Sequence, residues 1–139
     1  MRPILSVAVL LAGACAAPAQ QNLTGACEGE GLSRVEFRAC AAAAYATADD
    51  DLNEVYRLAI TRAKVFDLDA ATDGTAGPLT LEAALRQAQR DWIAFRDSHC
   101  DALAVTYGGG TGGPPAGILC RAEATQRRAQ ALREMMADY

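Results

Sequence analysis

His99 stands beside Cys100, the pair of residue types from which a thiolate nucleophile and its general base are made. On a helix, adjacent side chains diverge by about 100°, so this imidazole does not reach the neighbouring thiol. Asp49-Asp50-Asp51 invites a second reading, a cation held by clustered carboxylates. The same helical fan separates those three acids and turns them into a solvated face. Gly108 to Gly113 satisfies the Gly-x-Gly-x-x-Gly spacing of a dinucleotide site. That fingerprint needs a strand ahead of it to set pyrophosphate on a helix N-terminus, and here a helical pattern precedes it. Ser33 and Ser98 lack a nucleophile-elbow context, and no pair of acids is singled out for glycoside hydrolysis. One histidine and no paired-cysteine spacing leave little for zinc. The residues therefore predict no enzyme, no cofactor and no metal.

The cysteines carry a different chemistry, which depends on export. Met1-Arg2, an apolar run from Ile4 to Ala12, and Ala17-Pro18-Ala19 before two glutamines form a secretory signal with an Ala-x-Ala cleavage site. Residues 1–19 are thus expected to be removed, leaving 20–139 as a single helical domain in the periplasm or outside the cell. A competing reading takes Leu11 to Cys15 as a lipobox, with acylation of Cys15 as the one route to a membrane. Cleavage after Ala19 leaves Cys27, Cys40, Cys100 and Cys120, an even set that reads as two disulfides. Three connectivities are open. The sequential one, Cys27 with Cys40 and Cys100 with Cys120, closes short loops and is preferred.

Covalent help matters because the core is lean. Of 139 residues, 51% are nominally hydrophobic, but from Gln20 onward only 28 are large apolar side chains. Alanine makes up much of the remainder, and Val and Ile number 10 in the whole chain, which favours helix over sheet. Without Arg2 there are 12 basic and 17 acidic residues, a net of −5. Such a surface repels nucleic acid and suits a basic partner.

The pattern predicts an all-α fold, a small disulfide-stapled antiparallel bundle of three to four helices. The first helix opens on the capping box Ser33-Arg34-Val35-Glu36, and Phe37, Ala41, Ala44, Ala48, Leu52, Val55, Ala59, Ala63 and Phe66 share one face. A bend at the three aspartates is allowed for. Asp67 to Pro78 reads as a loop. Thr80 caps a second helix whose stripe is read as Leu81, Leu85, Ala88, Trp92, Phe95 and Leu103, with His99 or Cys100 between them. Trp92 and Phe95, with Phe37 and Phe66, are expected at the centre of the core. Tyr107 to Gly117 reads as an exposed glycine-rich loop, and a last helix from about Ile118 carries Ala122, Thr125, Ala129, Leu132 and Met136 in register.

Several spacings coincide in a recognisable way. Cys40 in the first helix precedes Ala48-Asp49 and Leu52-Asn53-x-x-Tyr56. Gln89-x-x-Trp92-x-x-Phe95-Arg96-Asp97-x-x-Cys100 follows, then the glycine-rich segment, then Cys120 leading into Thr125-x-x-Arg128-x-x-x-Leu132. The chain resembles the LprI-type lysozyme-inhibitor N-terminal domain family, small exported helical domains of bacteria, over about Cys27 to Met136. That resemblance implies a non-catalytic binding domain that inhibits lysozyme or a related cell-wall hydrolase. The alternative is an envelope structural or assembly module that binds another periplasmic protein through a helix face. Arg96 and Asp97 flank the core stripe and are expected to pair with Asp49, Asn53 or Thr125, with Tyr56 and Arg128 completing a polar tie between helices. The partner contact is expected in the loop, at Tyr107, Gly109, Gly110 and Thr111, with Tyr107 as an aromatic anchor in the hydrolase cleft.

Overall fold

The computed structural model describes Gly25–Cys27 and residues 31–137, so the export signal and Cys15 lie outside the described residues. A single 3-10 turn, Gly25–Cys27, precedes α1 (Arg34–Thr72), α2 (Leu81–Val105) and α3 (Gly113–Ala137). Pairings across the bundle define its direction. Asp67 lies beside the start of α2, Cys100 bonds Cys120 near the start of α3, Arg34 meets Thr111, and Arg62 meets the backbone of Met136. The order is therefore up-down-up, with α2 antiparallel to both neighbours and α1 parallel to α3.

α1 begins where the capping box places it. The Ser33 hydroxyl accepts from the Glu36 amide at 3.3 Å, and the Ser33 amide donates to the Glu36 carboxylate at 2.8 Å. These bonds hold the Glu36 carboxyl below its ordinary value, the side-chain bond with Ser33 having the larger effect. Their contribution is present at neutral pH and is lost as acid protonates Glu36. The helix then runs 39 residues without a break at Asp49-Asp50-Asp51. Each acid finds its own surroundings: Asp49 faces Arg96 and Asn53, Asp51 pairs with Arg133, and Asp50 is exposed.

The helix also extends past the expected loop at Asp67, as far as Thr72, before Gly74 turns the chain at φ 72°. Asp67 is helical because its carboxylate has a use there. It accepts from the amides of Leu81 at 2.7 Å and Glu82 at 3.0 Å, capping α2 from another helix, while Thr80 accepts from Ala83 at 3.2 Å.

The predicted stripes of α1 and α3 are buried: Ala41, Ala44, Ala48, Leu52, Val55, Ala59 and Ala63 on the first, and Ala122, Thr125, Ala129, Leu132 and Met136 on the last. The centre differs from expectation. It is built from Leu52, Val55, Ile60, Leu85, Leu132 and Met136 with alanines between them. Phe95 is 63% exposed, Phe66 is 48% exposed, and Phe37 and Trp92 are only half-buried. Small side chains on α1 and α3 bring those helices too close for phenylalanine rings to sit between them. On α2 the buried face is Leu85, Gln89, Arg96 and Cys100. That face lies one residue beyond the stripe through Ala88 and Phe95, a rotation of about 100°.

Tyr107 to Gly117 is not one long loop. α3 starts at Gly113, and Pro114 and Pro115 occupy its first turn, where missing amide donors cost nothing. Gly113 and Gly117 are buried against α2. A Cβ on Gly113 would stand 2.7 Å from the Ala104 carbonyl oxygen, and one on Gly117 would stand 3.3 Å from that of Cys100. Glycine is thus required at 113 and fits most easily at 117, and the Cys100–Cys120 bridge spans the same contact with its Cα atoms 5.6 Å apart. Cys27 bonds Cys40, holding the N-terminal turn to α1.

Gly113→Ala should lower stability by about 1–3 kcal/mol, because backbone must move to admit the methyl group. Gly77→Ala, with open space around it, should stay within about 0.5 kcal/mol. Replacing Cys100 and Cys120 together by Ser should cost roughly 3 kcal/mol by relaxing the closed loop of the unfolded chain. Urea denaturation of the four proteins checks all three figures.

Candidate functional site

The polar residues singled out in the sequence form two clusters that share Trp92. The first surrounds Arg96, 6% exposed, with partners on every helix. Its Nε donates to Asp97 at 2.9 Å and its Nη1 to the Thr125 hydroxyl at 3.2 Å, with Asp49 at 4.0 Å from the same nitrogen. Asn53 donates to Asp49 at 3.0 Å. The guanidinium carbon lies 5.1 Å from the Trp92 ring centre and 5.5 Å from that of Tyr45, so aromatic faces cover what the hydrogen bonds leave open. Asp97 is shared with Arg121, 3.5 Å away, which also pairs with Asp101.

The second cluster surrounds Arg128. Its Nε donates to the Gln89 side chain at 3.1 Å, and its guanidinium carbon lies 5.8 Å from the Trp92 ring centre. Burial lowers its basicity, and the nearby Tyr56 hydroxyl acts in the opposite sense. Asp49, Asn53, Arg96, Asp97 and Thr125 are therefore brought together, while Tyr56 and Arg128 belong to a neighbouring group. Gln89, Tyr45 and Arg121 were not anticipated. Gln89 was legible in principle, since it lies seven residues before Arg96, two turns up the same helix face.

None of this assembles a nucleophile. Both cysteine pairs are oxidised, and the His99 ring stacks on Phe95 with centroids 5.5 Å apart. Among the described residues, no group of three or more His, Cys, Asp or Glu is placed to hold a metal ion. Gly108 to Gly113 follows a helix, so the glycine spacing lacks its strand.

What the glycines build is a compact turn at one end of the bundle. Gly108 and Gly109 adopt φ of 60° and 78°, which L side chains rarely reach. The Gly110 amide donates to Tyr107 O at 3.0 Å, and the Gly113 amide to Gly110 O at 3.1 Å. Tyr107 packs over Gly112, where a Cβ would come within 3.1 Å of its ring. Arg34 donates to the Thr111 hydroxyl at 2.6 Å, tying the turn to the start of α1. On either side lies a shallow groove. One of about 650 Å³ runs between Arg34, Val35, Arg38 and Pro115, and one of about 670 Å³ between Asp101, Val105 and Gly109, with Pro114 on both. Val35, Val105 and Tyr107 are exposed around the turn, an apolar patch rimmed by charge.

Fold and site together define a disulfide-stapled three-helix bundle, knit by a buried arginine and presenting an ordered turn at one end. The chain belongs to the lysozyme inhibitor LprI family, whose sequence model matches residues 26–132. It is 35% identical over 127 residues to an uncharacterized protein of Rhizobium meliloti (strain 1021), covering 88% of this chain and 87% of that one. No solved structure matches the chain. None of the described helices is long and apolar enough to cross a membrane.

Arg96→Ala should destabilise the fold by about 3 kcal/mol, since it strips two half-buried carboxylates and Thr125 of their partner. Asp97→Asn should cost under about 1 kcal/mol, because Asp97 is 44% exposed and Arg96 keeps its other contacts. Thermal unfolding followed by circular dichroism separates these outcomes; equal losses would place Asp97, not Arg96, at the centre of the tie.

Proposed function

We propose that this chain is an exported, non-catalytic binding domain that inhibits lysozyme or a related cell-wall hydrolase, with residues 20–139 acting as one unit in the periplasm or outside the cell. Membership of the lysozyme inhibitor LprI family supports the class of target. The contact surface is the turn around Tyr107, Gly109, Gly110 and Thr111, and one observation carries that choice. This is a narrow, internally hydrogen-bonded projection whose exposed Tyr107 and Val105 are already fixed in place, so binding orders little that was loose. Glycine at 108 to 110 keeps the projection slim enough to enter a cleft, and Tyr107 supplies the anchor. Arg34, held at the rim by Thr111, adds a donor fork for carboxylates of the cleft. A net charge of −5 on the mature chain speeds encounter with a basic hydrolase.

The alternative, an envelope module that binds through a helix face, draws on one feature of α1. Leu58, Val65 and Leu68 fall on a shared face at helical spacing, and each is more than half exposed.

Oxidised protein in molar excess should slow lysozyme in a cell-wall clearing assay, and Tyr107→Ala or Val105→Asp should weaken inhibition at least ten-fold, about 1.4 kcal/mol. Val65→Asp should leave it unchanged. Full inhibition by the two turn variants would move the contact elsewhere, and loss in Val65→Asp would favour the helix face.

A further inference from the structure

A third surface, separate from the turn, has the chemistry of a small-molecule site. Between α2 and α3 lies a groove of about 330 Å³ formed by Trp92, Phe95, Arg96, His99, Arg127 and Arg128. Three features set it apart from a chance surface crease. The first is Arg128. Its Nε is occupied by Gln89, its face by Trp92, and Tyr56 lies nearby, but among the described residues its two terminal nitrogens have no hydrogen-bond acceptor and no carboxylate within ion-pair distance. A half-buried guanidinium in that state retains a free two-pronged fork, the geometry that a carboxylate fills with two parallel hydrogen bonds. Burial lowers the basicity of Arg128, with Tyr56 acting in the opposite sense.

The second feature is Phe95. Its ring is 63% exposed and stacks on His99, with ring planes 20° apart. Together the two rings make a flat wall beside the arginines. The third is the local charge. Arg127 adds a second cation at the rim, paired only with exposed Glu123 at 3.6 Å, while the carboxylates of Asp97 and Asp49 are already engaged by Arg96. The groove is thus cationic in a protein that is acidic overall, and it is small. The local charge selects an anion, the small volume and aromatic wall select a compact one with an apolar body, and the acidity of the rest of the protein works against a polyanion.

We propose that this groove binds a small carboxylate that carries a ring or aliphatic side chain next to the acid, as at a peptide C-terminus or in an N-acylated amino acid. The carboxylate lies on the free fork of Arg128 with Arg127 at the rim, and the side chain lies against Phe95 and His99. The site is independent of the hydrolase contact and goes beyond it.

Trp92 is the one tryptophan of the chain and lies under Arg128, so its fluorescence reports on the site directly. Titration with N-acetyl-phenylalanine should give a saturable change with a Kd at or below about 1 mM, and the uncharged N-acetyl-phenylalanine amide should bind at least ten-fold more weakly. A hexapeptide ending in phenylalanine separates the two sources: tighter binding than the free amino acid assigns the site to chain termini, and weaker binding assigns it to small metabolites. Phe95→Ala, at an exposed position, should keep the Tm and lose at least ten-fold in affinity. Arg128→Lys should recover only part of what Arg128→Gln loses, since a point charge lacks the fork. Equal responses to acid and amide, no saturable response to any probe, or unchanged affinity in Phe95→Ala would overturn the assignment. None of those results bears on lysozyme inhibition, which uses the turn.

Discussion

Arg96 reaches Asp49 and Tyr45 on α1, Trp92 and Asp97 on α2, and Thr125 on α3, and its guanidinium is almost wholly removed from water. Taking that charge out of solvent costs several kcal/mol unless its donors are met. They are met only in one arrangement of the helices. Sliding α3 by a single turn, about 5.4 Å, would carry Thr125 out of reach and leave one buried donor of the guanidinium unmet. The need is acute here because the surfaces around it are smooth. Ala41, Ala44, Ala48, Ala59 and Ala63 of α1 and Ala122 and Ala129 of α3 are all buried, and methyl groups interlock too weakly to choose between neighbouring registers. Close helix approach comes from the alanines, and the choice of register comes from the arginine and its partners.

The two disulfides act on the same problem from outside. Cys100–Cys120 lies beside the glycines that let α3 touch the backbone of α2, so bridge and contact enforce one spacing. Cys27–Cys40 adds the N-terminal turn to a core that has no aromatic ring at its centre. A bundle with few large side chains is held by covalent links at one end, by Arg96 in the middle, and by Leu52, Leu85, Leu132 and Met136 toward the other end.

The same packing decides which apolar side chains the scaffold leaves uncovered. Phenylalanines and valines that cannot fit between alanine-lined helices are turned outward, at Val35, Phe95 and Val105 among others. Some of these flank the glycine turn and some flank the α2–α3 groove. The close packing of the interior therefore leaves apolar surface beside the turn and the groove, on helices joined by Arg96 and the Cys100–Cys120 bridge.

Local signals in the chain were enough to determine several features. Ser33 with Glu36 and Thr80 mark two helix starts, the stripes of α1 and α3 follow from three- and four-residue steps, and the short separations of the cysteines favour the observed pairs. Each depends on neighbours within a few turns. Tertiary structure decided the rest. On α2, a stripe through Phe95 and one through Arg96 differ by one residue, and hydrophobicity alone chooses Phe95. Thr125, Asp49 and Tyr45, distant in sequence, make burial of Arg96 the better outcome. Asp67 stays helical because the amides of Leu81 and Glu82 need an acceptor, and position 113 takes glycine because a Cβ there would stand 2.7 Å from the backbone of α2. In all three cases the deciding energy lies between segments that meet only in the folded molecule, where no window along the chain can register it.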